Sequence, residues 1–151
     1  MPEKQTLEKA KEAKREGKAP STQAGEFVRE EIDHVREGKH GARSTKQAIA
    51  IGLSKARRAG VELPPPEEGS VSEETREQAK RDLRKAKKGT KKKPSAKRSR
   101  ASSKALKREG KNAASKKALS TQARTAAKSR SAASRSRSAK KAAATRKKSG
   151  K

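Results

Sequence analysis

The side chains suited to acid–base or metal chemistry are concentrated in one short stretch of the chain. Its two histidines, His34 and His40, flank the end of a predicted helix whose residues 26–37 include five acids. Imidazoles are common metal ligands, but no third ligand stands near them in a metal-binding spacing, so we expect solvated histidines and no metal. We expect the acids on a solvated helix face without a nucleophile, so the sequence predicts no catalytic residues and no enzyme.

The residues that several other kinds of functional site require are absent from the sequence. The chain contains no cysteine, which excludes disulfides, a thiol nucleophile and a zinc–thiolate site. The segment GKHGARST at residues 38–45 lacks the glycine and lysine spacing of a phosphate-binding loop. No apolar run approaches the length of a signal peptide or a membrane span. We therefore expect an intracellular protein without a cofactor.

The strongest functional signal is the charge of the carboxy-terminal region. The chain has a net charge of +27, and residues 90–151 hold 23 Lys and Arg against one acid, Glu109. A polycation binds polyanions, and contact with phosphates releases counterions, so its affinity is independent of sequence and strongly salt-dependent. The nucleic-acid-binding residues that we predict are Lys91, Lys92, Lys93, Lys97, Arg98, Arg100, Lys140, Lys141, Arg146, Lys147 and Lys148.

Composition also ranks the polyanions that this region would bind. It contains no aromatic residue to stack on single-stranded bases, so duplex DNA is favoured. The Ser-Arg alternation at residues 134–138 is typical of RNA-binding segments and keeps RNA as an alternative. Anionic lipid ranks lower because no apolar face is present for insertion. In composition the region resembles linker-histone and bacterial histone-like tails, which implies a cytoplasmic, nucleoid-associated protein.

The rest of the sequence predicts a mainly α protein with a small amino-terminal helical unit at residues 1–63. Residues 2–17 form a first helix that we expect to be solvated and loosely attached, because its one large apolar residue is Leu7. A second helix at residues 21–37 begins at a Ser21 or Thr22 cap. Its apolar stripe consists of Ala24, Phe27, Val28, Ile32 and Val35.

A third helix, within residues 43–60, is the best specified element of the sequence. Ser44 and Gln47 form a capping box, and Gly60 suits the left-handed position after a helix. Val61 is placed for the hydrophobic contact that often follows such an end. Two amphipathic helices with a short connection predict an αα-hairpin, whose positively charged third helix permits a less favoured helix-turn-helix interpretation.

One apolar residue of the third helix lies on an unexpected side. At about 100° per residue, Ile51 is roughly opposite the face that packs on the second helix. The first helix or the turn at residues 61–63 covers it, or it contacts a protein partner or a second copy of the chain. We favour cover within the chain. A secondary contact surface is predicted at Lys46, Gln47, Ile51, Lys55 and Arg58.

Downstream of the hairpin, composition divides the chain again. Residues 64–71 form a proline-rich acidic linker, and a capping box of Ser70 and Glu73 opens a charged helix within residues 72–89. Residues 90–151 are low in complexity and are expected to be disordered alone. Their Ala and Lys favour helix once phosphates neutralise the charge.

The third helix also carries a family resemblance. Its motif K-Q-A-I-A-I-x-L-S-x-A-R-x-A-G runs from Lys46 to Gly60. It resembles small basic bacterial proteins often labelled plasmid stabilization proteins, and a bacterial and phage domain of unknown function. The resemblance spans residues 4–66, implies a bacterial intracellular protein and transfers no catalytic residue. The alternative to DNA binding is an interaction adaptor whose hairpin binds a protein.

Overall fold

The computed structural model describes residues 1–89, 95–148 and 150, and within these ranges it contains helices and no strand. This confirms the expected mainly α fold. The chain forms two compact units, Met1–Ser115 and Lys116–Lys151. The helices are α1 (Lys4–Arg15), α2 (Pro20–Glu37), α3 (Thr45–Arg58), α4 (Glu73–Lys87), α5 (Ala96–Lys107), a 3-10 helix (Asn112–Ala114), α6 (Lys116–Ser129) and α7 (Ala132–Lys148).

The predicted hairpin is present as α2 and α3. Phe27 and Val35 of α2 are fully buried. The two helices approach most closely at Gly52 of α3, where an added Cβ would lie 2.7 Å from the Val28 Cα. A glycine is therefore needed at this crossing, because any side chain would separate the helices.

Both ends of α3 follow the sequence signals. The Ser44 hydroxyl accepts from the Gln47 N–H at 3.2 Å. Gly60 has φ +95°, and the Val61 N–H donates to the Ala56 carbonyl at 3.1 Å, as in a Schellman end. Val61 is buried at 7% exposure, which confirms the hydrophobic contact expected after the helix.

The first helix is packed more firmly than expected. Ala10 and Ala13 of α1 are buried, and Ala10 joins a core cluster with Phe27 and Ala56. The Glu3 N–H also donates to Glu30 Oε2 at 3.0 Å. The prediction of a solvated, loosely attached helix was wrong, because alanine faces allow close helix packing without large apolar side chains.

Two predicted helix caps do not form as expected. Helix α2 begins at Pro20 with Ala19 as its N-cap and no side-chain cap bond, so neither Ser21 nor Thr22 caps it. Helix α4 is capped by Ser72, whose hydroxyl accepts from the Thr75 N–H. A proline at the first helical position has no N–H, so one fewer free N–H group at the start of α2 needs a side-chain acceptor.

Helix α4 covers the far side of α3. Asp82 of α4 is buried at 2% exposure and accepts from the Ser54 hydroxyl at 2.5 Å. Arg58 Nε lies 3.9 Å from the same carboxylate. Ile51, one helical turn before Ser54, is half-buried. Helix α4, which was not among the predicted candidates for covering Ile51, therefore packs on the side of α3 that carries Ser54 and Arg58.

The segment after α5 docks onto the hairpin. The Gly41 N–H donates to the Leu106 carbonyl at 2.9 Å and the Ala42 N–H to the Gly110 carbonyl at 3.1 Å. The Thr45 hydroxyl donates to the Ala113 carbonyl at 2.6 Å. Residues 95–115 thus belong to the first compact unit, although the sequence suggested a tail boundary at residue 90.

The second unit consists of helices α6 and α7. The sequence predicted disorder or helix induced by a ligand, and the structure is helical over residues 116–129 and 132–148. Ala, Lys and Arg have high intrinsic helix propensity. Ser131 adds a local start signal, because its hydroxyl accepts from the Ser134 N–H at 3.2 Å.

Candidate nucleic-acid interface

The predicted phosphate-binding residues fall on two helices, one in each compact unit. Those on α5 are Lys97, Arg98 and Arg100, and those on α7 are Lys140, Lys141, Arg146, Lys147 and Lys148. All of these side chains belong to exposed residues. The remaining three, Lys91, Lys92 and Lys93, lie outside the described residues.

One side of α5 forms a shallow, open depression of about 530 Å³. It combines cationic side chains with hydroxyl groups that can donate hydrogen bonds, and both groups suit phosphate oxygens. Its lining residues are Ser99, Arg100, Ser103, Lys104, Lys107 and Arg108. Lys104, Lys107 and Arg108 were not among the residues named from sequence, although they continue the same helix face at spacings of three and four.

The cations of α7 surround the helix rather than forming one stripe. At about 100° per residue, Arg137, Lys140 and Lys141 lie within about 100° of one another, whereas Arg135 points to the opposite side. No apolar face remains that would insert into a bilayer. Among the described residues, no helix is long and apolar enough to cross a membrane.

The predicted secondary contact surface on α3 is largely engaged within the molecule. Lys55 Nζ lies 2.6 Å from Glu31 Oε2, and Arg58 reaches Asp82 and Ser54. Gln47 Oε1 accepts from the Arg43 N–H at 2.7 Å. Ile51 is half-buried, and Lys46 and Arg58 are the exposed members of the five.

A buried acidic network lies between α1, α2 and α3. Glu30 and Glu31 are 6% and 1% exposed, so the expectation of a solvated acidic face was wrong for both. Glu31 stands four residues from Phe27 and from Val35, and this spacing places it on the apolar stripe. That signal was present in the sequence. Lys55 of α3 faces both carboxylates.

The surroundings of Glu30 favour its ionised form. Burial raises the pKa of the Glu30 carboxyl. Hydrogen bonds from Thr6 and the Glu3 N–H, together with the Lys55 ammonium, outweigh burial and hold the pKa below its ordinary value. Arg57 shows the opposite balance, because burial lowers its pKa more than the nearby Asp82 raises it. Its guanidinium donates to the Leu63 and Pro64 carbonyls, which fixes the chain after α3.

The histidines are not solvated as expected. The side chains of His34 and His40 are 14% and 17% exposed, and they pair with Glu3 and Glu31 respectively. Their rings are 6.1 Å apart in an edge-on arrangement. Sequence spacing alone missed the third group near them, because Glu31 was assigned to the wrong face of α2.

The comparisons with known proteins concern the amino-terminal part of this all-helical chain. Residues 4–67, which include α1, α2 and α3, match the model of a family of unknown function (DUF6496). This range nearly coincides with the residues 4–66 that carried the resemblance in sequence, whereas the plasmid stabilization label has no counterpart in the family's description. No curated protein and no solved structure matches the chain.

Proposed function

We propose that this protein is a non-enzymatic, mainly sequence-independent binder of duplex DNA, of a nucleoid or histone-like kind in the bacterial cytoplasm. The observation that supports this most is the set of exposed cations that α5 carries in the first unit and that α6 and α7 carry in the second. Residues 90–151 carry 23 Lys and Arg against one acid. Cations at this density favour phosphate contact with counterion release over base readout.

In this proposal the hairpin positions the protein on DNA, and the carboxy-terminal helices supply most of the binding energy. Its third helix is covered by α2 on one face and approached by α4 on another, and Lys55 and Arg58 pair with internal acids. Because these side chains are engaged within the molecule, the adaptor and helix-turn-helix alternatives are less well supported. Binding of the DNA backbone by the carboxy-terminal helices is the better supported function. A role in plasmid maintenance would be one use of such DNA binding.

A salt titration of the full chain on duplex DNA tests the proposal. Each phosphate contact contributes about −0.9 to the slope of log affinity against log salt, so wild-type protein should show a steep slope. One variant replaces by Gln the α7 residues Lys140, Lys141, Arg146, Lys147 and Lys148. Its slope should be shallower by up to about 4.5, which is five contacts at that value.

The matched control neutralises the same number of exposed cations on α1. It replaces by Gln the residues Lys4, Lys9, Lys11, Lys14 and Arg15. Its slope should equal that of wild type. A wild-type slope near zero would refute DNA binding through phosphates, and equal losses in both variants would refute a dedicated carboxy-terminal interface. Tighter binding to RNA of equal length would assign the interface to RNA instead.

A further inference from the structure

The end of the α2–α3 hairpin brings three metal-ligating side chains together. Glu31, His34 and His40 each offer one ligand atom, and these atoms all lie within 4.8 Å of one another. Their side chains are 1%, 14% and 17% exposed. We propose that this Glu31–His34–His40 cluster binds one divalent transition-metal ion of the zinc type.

The hydrogen bonds of His40 present its other nitrogen as a ligand. His40 Nδ1 lies 3.0 Å from the Gly41 carbonyl oxygen. A carbonyl oxygen only accepts hydrogen bonds, so Nδ1 carries the proton and the lone pair of a neutral ring is on Nε2. Metal-binding histidines are typically oriented in this way, with the second nitrogen donating to a carbonyl or carboxylate.

That lone pair points toward a buried carboxylate. His40 Nε2 lies 3.1 Å from Glu31 Oε1. Two acceptors at this distance repel each other unless a cation is shared between them, and the cation is either a proton or a metal ion. Two ligands on a tetrahedral zinc with bonds of about 2.0–2.1 Å lie about 3.3 Å apart, so the pair already has nearly the required separation.

The second histidine is oriented by a carboxylate as well. His34 Nε2 lies 2.9 Å from Glu3 Oε1 at the start of α1. When a neutral His34 donates this hydrogen bond, its lone pair is on Nδ1. The ligand set is then two imidazoles and one carboxylate, which is typical of zinc with a further position for water.

Local charge favours a dication at this point. Glu3, Glu30 and Glu31 supply three carboxylates, and Lys39 and Lys55 supply two ammonium groups. Lys55 pairs with Glu31 through Oε2 at 2.6 Å, so Oε1 is available for the ion. The contact between Lys55 and Glu31 Oε2 is an ion pair without a hydrogen bond of regular geometry.

A bound ion would fix the loop between α2 and α3. Two ligands belong to the last turns of α2, and His40 belongs to the loop that precedes α3. The next residues of that loop, Gly41 and Ala42, hold residues 106–110 through their N–H groups. The metal would therefore stabilise the docking of the segment after α5.

The test measures Zn²⁺ binding by titration calorimetry on the full chain, in a buffer without phosphate or nucleic acid. We expect one ion per chain with at least micromolar affinity, retained in excess Mg²⁺, which prefers oxygen ligands. Co²⁺ should give the visible absorption of a four- or five-coordinate site. The variants His34→Gln and His40→Gln should each weaken binding by at least about tenfold.

Glu30→Gln is the matched control, because Glu30 is also buried and also faces Lys55 but is not in the cluster. It removes one nearby negative charge but no ligand, so it should weaken Zn²⁺ binding much less than either histidine variant does. Glu31→Gln is less suitable alone because it alters a fully buried group. The test therefore depends on the two histidines, which are less deeply buried, with circular dichroism as the fold check. Absence of uptake, or uptake that both histidine variants retain, would overturn the proposal. Because nucleic acid is absent, either outcome leaves DNA binding to its own test.

Discussion

The contact between Gly52 and Val28 sets how closely the two hairpin helices pack. We predict that Gly52→Ala lowers the free energy of unfolding by about 1–3 kcal/mol, as overpacking usually does. The added Cβ would lie 2.7 Å from the Val28 Cα and 3.0 Å from the Phe27 carbonyl oxygen, and backbone atoms cannot rotate away. Urea unfolding followed by circular dichroism measures the change.

The control for this substitution is Gly25→Ala in α2. No atom lies within 4 Å of the Cβ that would be added there. Alanine should therefore stabilise α2 by about 0.5–1 kcal/mol through its better helix propensity. If both alanines stabilise the protein, the close approach at Gly52 does not exist in solution.

Glu30 should give the stability of the protein a distinct dependence on acid pH. Its folded-state pKa lies below the ordinary value of 4.5, so its contribution is present above pH 4.5. That contribution is lost as the pH falls through the folded-state pKa. We predict that Glu30→Gln costs about 1–3 kcal/mol at neutral pH and that the difference from wild type shrinks below pH 4.5.

Urea unfolding at a series of pH values measures this difference. The exposed Glu8→Gln on α1 is the control, and surface substitutions of this kind usually change stability by less than about 0.5 kcal/mol. A wild-type advantage over Glu30→Gln that grows as the pH falls would mean that the folded state raises the pKa of Glu30, contrary to the structure.

At the scale of elements, one close backbone contact decides whether the segment after α5 docks on the hairpin. A Cβ on Gly41 would overlap the Glu109 carbonyl and lie 2.8 Å from the Gly110 carbonyl oxygen. We predict that Gly41→Ala undocks residues 106–114. Hydrogen exchange at the Ala42 amide should quicken by at least about tenfold, equivalent to about 1.4 kcal/mol.

Gly110→Ala is the control for this docking. Gly110 belongs to the same contact, but no atom lies within 4 Å of its added Cβ. Exchange at Ala42 should stay at the wild-type rate in this variant. Trypsin cleavage after Lys107 and Arg108 provides a second measure, because it should quicken in Gly41→Ala alone. Unchanged exchange and cleavage in Gly41→Ala would show that these residues are not docked in solution.

Local sequence signals predicted where helices begin and end better than they predicted which helices contact each other. Ser44, Gly60 and Val61 define the ends of α3 through interactions within a few residues, so the sequence contains the whole of that information. The docking of Asp82 on Ser54 depends on two residues 28 positions apart, and no local pattern encodes it. A charged residue such as Lys55 or Glu31 was assigned to solvent because burial of a charge depends on a distant partner.

The whole molecule combines a mixed-charge unit with a second unit that contains no acid. Residues 116–151 hold 13 Lys and Arg and neither Asp nor Glu, so the helices of this unit form against their own repulsion. Salt should therefore have opposite effects on DNA binding and on the helicity of this unit. It weakens phosphate binding through counterion release, and it screens the repulsion within α6 and α7.

We predict that helicity, measured by circular dichroism, rises when NaCl is raised from about 0.1 M to about 1 M, over which the Debye length falls from about 10 Å to about 3 Å. Duplex DNA at low salt should raise it in the same way, since phosphates neutralise the same cations. The rise with salt should be smaller in the variant with Gln at Lys140, Lys141, Arg146, Lys147 and Lys148, because less repulsion remains to be screened. The α1 variant with five Gln should respond as wild type does. A fall in helicity with salt would show that repulsion between cations does not limit the helicity of α6 and α7. The opposing salt dependences would then not arise.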